Sequence, residues 1–374
     1  MSKIGIMSMQ RIANYGSFLQ AYALKQLIQD LGHEVEFVDY HVGAPVVKDD
    51  ADNVNRYARK IEKGLEIFRN KARFSHKLAF IQYKQSFGKK YMPLLGVTNV
   101  MNYNPRLDCL VIGSDEVFNC IQKNTNVGYS TELFGKDNRA KRLITYAASF
   151  GNTTIEKLGQ FGKTKEIGNY LKAFDAISVR DKNSGKIVES LTDRKVVYHL
   201  DPVLIYDYIY CCDKIPQINS SEKYMILYAY SGRISDQEAD WILAYAHKKK
   251  LKVYAIGGIQ KCADCFVDCS PFEVLAYFKN AEEVITDTFH GSIFSVITHR
   301  PFTTLVRKSV GNSYGNEEKL SDLLDRLRLG VRMTTKIEDV ESINAHPIDY
   351  AEVDDILQGQ RVIAKEYLRR NLEG

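Results

Sequence analysis

The sequence is short of several residue types, and each shortage closes off a class of protein. One tryptophan, eight prolines and seven cysteines occur in 374 residues. The cysteines are odd in number, scattered, and partly adjacent at Cys211 and Cys212, which argues against a disulfide framework. No run of about 18 apolar residues is present, so no helix is expected to span a bilayer. No short-period repeat or low-complexity tract occurs, which excludes solenoids. No G-x-G-x-x-G fingerprint appears, so a dinucleotide is not indicated. Excess charge is also scarce: 51 Lys and Arg against 46 Asp and Glu leave +5. That is too little for a nucleic-acid footprint, yet it suits a phosphorylated substrate or an acidic membrane surface. Met1–Met7 runs into polar residues with no signal-cleavage pattern, so a cytosolic location is expected, with peripheral contact at the inner membrane face as a secondary expectation.

What is present is ordinary globular material, 45% hydrophobic and 26% charged. Lys3–Met7 reads as a buried strand. Phe18, Leu19, Tyr22, Ala23, Leu27 and Leu31 have helical spacing from Ser17, and Gly32 suits the helix end. Glu34–Asp39 reads as the next strand. Strand, helix, strand is a βαβ unit and predicts a parallel sheet. Residues 42–75 carry charge pairs and predict a helical insertion, with a second helical stretch at Phe74–Phe87. Strands are then expected at Leu107–Ile112, Leu143–Ala147, Ala176–Val179 and Val196–Tyr198, with helices at 154–170 and 183–191. The polar stretch Asp213–Glu222 is the best boundary. Beyond it, Tyr224–Tyr228, Lys252–Ile256, Val284–Thr286 and Phe302–Val306 alternate with helices at Asp236–Lys248, 271–280 and Gly291–Thr298, and Ile356–Leu372 closes the chain.

The expected fold class is α/β, with two Rossmann-like domains facing a cleft. The first spans 1–205 with a helical insertion at about 42–105. The second spans 206–345. A helical segment, 346–374, packs back on them.

Candidate sites lie where parallel strands end, because doubly wound sheets bind ligands there. Asn14, Tyr15, Gly16 and Ser17 sit between the first strand and helix, where free N–H groups favour an anion. A capped turn is the ordinary alternative. Gly113, Ser114 and Asp115 follow Leu110-Val111-Ile112; glycine permits close approach and Asp115 can accept from a sugar hydroxyl. Arg180, beyond the strand at Ser178-Val179, can grip a carboxylate or phosphate bidentately, or pair with a surface carboxylate. Thr288, Phe289, His290, Gly291 and Ser292 form a strand-to-helix junction. A helix N-terminus disfavours imidazolium, so His290 suits a base; a buried capping histidine is the alternative. Cys262, Cys265 and Cys269 could hold zinc with a fourth ligand, yet no second C-x-x-C pair exists, and no metal is expected.

Several of these segments resemble the polysaccharide pyruvyl transferase family. Asn14-Tyr15-Gly16-Ser17-Phe18-Leu19-Gln20-Ala21-Tyr22-Ala23-Leu24 is similar to its opening motif. Val111-Ile112-Gly113-Ser114-Asp115-Glu116-Val117-Phe118-Asn119 is similar to a second block, with Glu116 and Phe118 where Gln and Trp are frequent. Tyr146–Gly151, Ser178–Asp181, Asp201–Val203 and Phe289–Ser295 follow in the family's order. Thr288 stands where some members carry Arg.

The resemblance implies a GT-B-like fold and transfer of a pyruvyl group from phosphoenolpyruvate to a sugar, as a cyclic ketal. It implies phosphoenolpyruvate as donor substrate, no cofactor, and a sugar or lipid-linked oligosaccharide as acceptor. It also aligns Arg180 and His290 with the family's basic and histidine positions in the cleft; the expected catalytic set is His290 for proton transfer, Arg180 as an anion clamp and Asp115 to orient the acceptor hydroxyl. Two other readings stay open on the residues alone. One is a nucleotide-sugar glycosyltransferase, with Glu273 or Asp287 on the ribose. The other is a non-catalytic glycan-binding protein.

Overall fold

A computed structural model describes residues 1–47, 67–307 and 317–372. It contains two six-stranded sheets in which every described pairing is parallel. Leu110-Val111-Ile112 and Met225-Ile226-Leu227 explain why: strands apolar on both faces are stable only where helices cover both sides.

The first sheet contains β1 (Lys3–Met7), β2 (Glu34–Phe37), β3 (Arg106–Asp115), β4 (Arg139–Ala148), β5 (Ser178–Val179) and β6 (Val197–Tyr198), in the order β2-β1-β3-β4-β5-β6. The second contains β7 (Tyr224–Tyr228), β8 (Lys252–Ile256), β9 (Cys265–Phe266), β10 (Glu283–Thr286), β11 (Phe302–Leu305) and β12 (Met333–Thr334), in the order β12-β11-β10-β7-β8-β9. Counted within its own domain, the second order is the Rossmann order, 3-2-1-4-5-6. The chain winds outward in both directions from one crevice in each sheet: between β1 and β3 in the first, and between β7 and β10 in the second.

Two compact units result. Among the described residues, one takes 1–47, 89–206 and 354–372, and the other takes 67–88, 207–307 and 317–353. The stretch 67–88 therefore departs from the expected insertion in the first domain. Its helix, α2 (Phe74–Leu95), carries Phe80, Tyr83 and Phe87 at helical spacing, and both Phe80 and Tyr83 meet Phe266 edge-on, with centroids 5.6 and 6.3 Å away. Burial of that apolar face sets its allegiance. The rest of the charged insertion, 48–66, lies outside the described residues. At the other end of the chain, Tyr367 donates to the Thr145 carbonyl at 2.8 Å and packs on His199, so the last helix, Tyr350–Leu372, closes largely on the first unit.

Other departures are local. The helix expected over 154–170 is two, Ile155–Gln160 and Thr164–Lys172, the first capped by Thr154. The two-residue strands β9 and β12 are too short to leave a periodic signal. No described helix is long and apolar enough to cross a membrane.

Candidate active site

In the first unit the predicted residues gather where β1, β3 and β5 end. β3 runs three residues further than expected, so Gly113, Ser114 and Asp115 are its last residues rather than a turn. Gly113 is required there. Its φ is +131°, and a Cβ would lie 2.2 Å from the Tyr146 carbonyl oxygen on β4. Gly113→Ala should therefore lose about 1–3 kcal/mol of stability, read as a lower urea midpoint. Gly359→Ala is the control. It lies in the helix Tyr350–Leu372 with nothing within 4 Å of the added methyl, and should raise the midpoint slightly.

Asp115 is the hub. Its Oδ2 accepts from Ser17 Oγ at 2.9 Å, its Oδ1 accepts from the Glu116 N–H at 2.9 Å, and Arg180 Nη2 stands 3.7 Å from that same Oδ1. Arg180 is buried and donates through Nη1 to Asp201 Oδ2 at 2.9 Å. Burial works against the guanidinium charge, but Asp201 and Asp115, with Glu116 and Asp181, outweigh it and hold its pKa above the ordinary value. Ser114 Oγ also donates to Asp201, at 3.4 Å, while Ser8 Oγ donates to the Ser114 carbonyl and receives from Gln20 Nε2.

The loop residues divide. Asn14 caps α1 (Tyr15–Gln29) by accepting from the Gly16 and Ser17 N–H groups, so the helix starts two residues earlier than expected. Tyr15 is a buried core residue, so its ring lies inside rather than at a substrate surface. Ser17 is the member that reaches Asp115. A small pocket on the same sheet, lined among others by Met7, Val38, Leu107 and Leu110, includes neither Asp115 nor Arg180.

In the second unit the predicted junction lies at the end of β10. Beyond Ile155–Gln160, Thr164–Lys172 and Lys182–Thr192 (α3 to α5), Asp236–Lys249 (α6) and Pro271–Asn280 (α7), the chain leaves β10 for the helix α8 (Phe289–Ile297). That helix begins at Phe289, so His290 occupies its first turn. Thr288 is the cap and accepts from the Gly291 N–H at 2.9 Å. Gly291 allows the helix to approach β10, since a Cβ would lie 2.1 Å from Thr286 Oγ1. Ser292 Oγ donates to the Thr288 carbonyl and meets Thr304 Oγ1 at 2.8 Å, fixing α8 on β11. Thr288, Phe289, Gly291 and Ser292 are buried, and within this group His290 alone is half-buried, its Nε2 turned away from solvent. Its ring contacts Phe289 and Phe294.

Asp287 is wholly buried beside this junction, with Arg233 Nη1 3.8 Å from its Oδ2. Burial pushes its carboxyl above the usual carboxylate range, against the pull of Arg233 and Arg307. Glu273, the other ribose candidate, is occupied in a capping box with Ser270 at the start of α7. Among the described residues no group of three or more His, Cys, Asp or Glu side chains could hold a metal ion. Cys262, Cys265 and Cys269 thus do not assemble a ligand set, and burial pushes the Cys262 thiol up to about 12.

Four participants escaped the sequence reading: Ser8, Gln20, Asp201 as the partner of Arg180, and Arg233. Asp201 belongs to the motif Asp201–Val203, but its pairing with Arg180 across 21 residues leaves no local signal.

Two doubly wound parallel sheets, each with polar residues gathered at its switch point, define a two-domain Rossmann-like protein. The chain belongs to the polysaccharide pyruvyl transferase family, whose model matches residues 14–309. It is accordingly a transferase acting on polysaccharide. No curated protein matches it. Solved structures similar to it include a mutant O-GlcNAc transferase of Thermobaculum terrenum (12% identity, 99% of this chain and 66% of that one, TM-score 0.44). Others are MnaA of S. aureus in a co-structure with UDP (14%, 98% and 94%, 0.47) and the UDP-GlcNAc 2-epimerase of Methanocaldococcus jannaschii (9%, 93% and 93%, 0.48).

Proposed function

We propose that this transferase moves a pyruvyl group from phosphoenolpyruvate to two hydroxyls of one sugar in a polysaccharide or lipid-linked glycan precursor, forming a cyclic ketal and releasing phosphate. The observation that carries the reading is the place of His290: half-buried, in the first turn of a helix, at the switch point of the second sheet. An imidazole there can exchange a proton with a substrate whose anionic end lies at the helix N-terminus.

The chemistry balances with the residues of this chain and no metal-bound step. A proton adds to C3 of phosphoenolpyruvate, which becomes the methyl group. The first sugar oxygen bonds to C2 and its proton passes to His290. The C2–O bond to phosphate breaks, the second sugar oxygen bonds to C2, and its proton leaves with phosphate. His290, carrying the first hydroxyl proton, is the group that returns one for the next C3 protonation. Asp115 accepts from an acceptor hydroxyl. Arg180, tied to Asp201, acts as a positioning residue that fixes Asp115. The acceptor we assign is met at the inner membrane surface, consistent with the mild positive charge.

The test is phosphate release from phosphoenolpyruvate in the presence of glycan acceptors, with the product methyl group followed by NMR in deuterated water. One deuterium in that methyl group is the expected result. Phosphate release without a ketal, or glycosyl transfer from a nucleotide sugar instead, overturns the reading.

A further inference from the structure

We propose that the connection between α2 and β3 docks the first unit on an anionic lipid bilayer, with Val100 and Met101 entering the interface and Lys89 and Lys90 meeting the headgroups. That the glycan acceptor is met on this bilayer rests on the function proposed above; the docking surface does not.

The connection holds apolar side chains in water on a fixed backbone. Val100 is 79% exposed, Leu94 47%, and Met101 and Tyr103 41% each. Val42, 50% exposed, is brought alongside by the stack of His41 on Tyr103, with ring centroids 3.9 Å apart. A frayed segment exposes such residues by accident, but this one is fastened at both ends. Lys25 Nζ donates to the carbonyl of buried Leu95 at 2.8 Å, and Arg11 Nη1 donates to the Thr98 carbonyl at 2.8 Å. The Asn102 N–H donates to Asp39 Oδ2 and the Asp39 N–H to the Asn102 carbonyl, both at 2.8 Å. Arg11 in turn donates to both Asp39 oxygens, at 2.5 and 2.7 Å. Apolar side chains presented this way bind with little further ordering of the chain, and their grouping marks an interaction surface.

Arg11 follows β1 and Asp39 follows β2, so the loop they hold lies at the carboxyl edge of the first sheet. Asp115 ends β3 at that same edge. Hydrogen bonds join the two places: Gln10 Nε2 donates to the Val38 carbonyl at 2.9 Å, the Ser8 N–H donates to Gln10 Oε1 at 3.0 Å, and Ser8 Oγ donates to the Ser114 carbonyl. A bilayer on this loop is therefore on the side of the sheet where the acceptor hydroxyl is assigned.

Charge selects the partner. From 67 to 107 the sequence has eight Lys or Arg and no Asp or Glu, a larger surplus than the +5 of the whole chain. In the first unit this stretch contributes Lys89, Lys90 and Arg106, all exposed. Lys90 lies one turn before Leu94 on α2, so its ammonium can reach a headgroup while Leu94 meets the acyl boundary. The carboxylates that hold the patch are engaged, Asp39 by Arg11 and Glu132 by the His41 N–H and Nδ1 at 2.7 and 2.8 Å. A protein partner would need carboxylates in fixed places and a matching concavity. A fluid anionic layer needs neither, and it suits a tyrosine at headgroup level.

The test is co-sedimentation of the full chain with vesicles of phosphatidylcholine and of an equal mixture with phosphatidylglycerol. Wild type is compared with the pairs Val100→Ser with Met101→Ser and Lys89→Gln with Lys90→Gln. Wild type should sediment with the mixed vesicles, much less with phosphatidylcholine alone, and less again at high salt. Each pair should weaken partitioning about fivefold or more, with melting temperature and phosphate release on a soluble, lipid-free glycan acceptor as in wild type. A smaller loss from either folded pair overturns the surface, as does equal binding to both vesicles or binding to neither. If the serine pair fails to fold, Val100→Ser replaces it. A serine pair that turns a dimer into a monomer, where wild type ignores both vesicles, assigns the patch to a second copy and overturns the bilayer. Vesicle binding lost as expected, without phosphate release from phosphoenolpyruvate in wild type, upholds the surface and defeats the transfer reaction.

Discussion

His290→Ala lowers phosphoenolpyruvate-dependent ketal formation by about 100-fold or more, while its unfolding midpoint stays close to that of wild type. The two halves of this expectation come from different parts of the structure. The chemical half follows from the assignment of proton transfer to the imidazole, a role with contributions of that size in general acid–base catalysis. The stability half follows from the division of labour in the first turn of α8. Thr288 supplies the cap, Gly291 the close approach to β10, and Ser292 the tie to β11, so the histidine ring can be removed without touching any of them. Steady-state phosphate release and NMR detection of the ketal check the first half, and a urea melt checks the second. A loss of only two- to threefold in a folded variant would remove His290 from the proton-transfer role.

Much of the architecture was legible because its signals are local. Apolar runs such as Leu110-Val111-Ile112 bounded by polar residues mark covered parallel strands, and the Ser270-Pro271-Phe272-Glu273 box marks a helix start by its own chemistry. The positions of Asp115, Arg180 and His290 at strand ends were legible for the same reason. What those residues touch was not. Arg180 finds Asp201 and Asp115, and Ser17 finds Asp115 across 98 residues, through pairings that only the order of strands creates. Asn14 and Tyr15 share a motif with Ser17, yet one is a cap and one is core, because a helix turns successive side chains in different directions. The allegiance of residues 67–88 was hidden too. A helix with an apolar face needs a partner, and nothing in its own sequence says which sheet provides it.

Arg180→Met carries the largest stability cost, about 3–5 kcal/mol, because it strips the partner from a buried carboxylate. Asp201 is 0% exposed and Arg180 is 4% exposed at the side chain, so water cannot compensate for the loss. Adding Asp201→Asn to that variant should restore most of the stability. The asparagine carries no charge, yet its side-chain oxygen can still accept from the Val203 N–H, which Asp201 now holds at 3.1 Å to start the turn Pro202–Ile205. Urea unfolding of the single and double variants measures both steps, and a single-variant loss under about 1 kcal/mol would show that the pair is not behaving as a buried one. Arg180→Lys then separates the two roles open to this residue. A lysine keeps a charge beside Asp201 and loses the fork that also reaches toward Asp115. If Arg180 positions Asp115, this variant lowers kcat and weakens the acceptor, while the Kd for phosphoenolpyruvate stays within about twofold. If Arg180 instead grips the donor, as its bidentate chemistry allows, donor affinity falls about tenfold or more, and the fixed carboxylate network loses its proposed role.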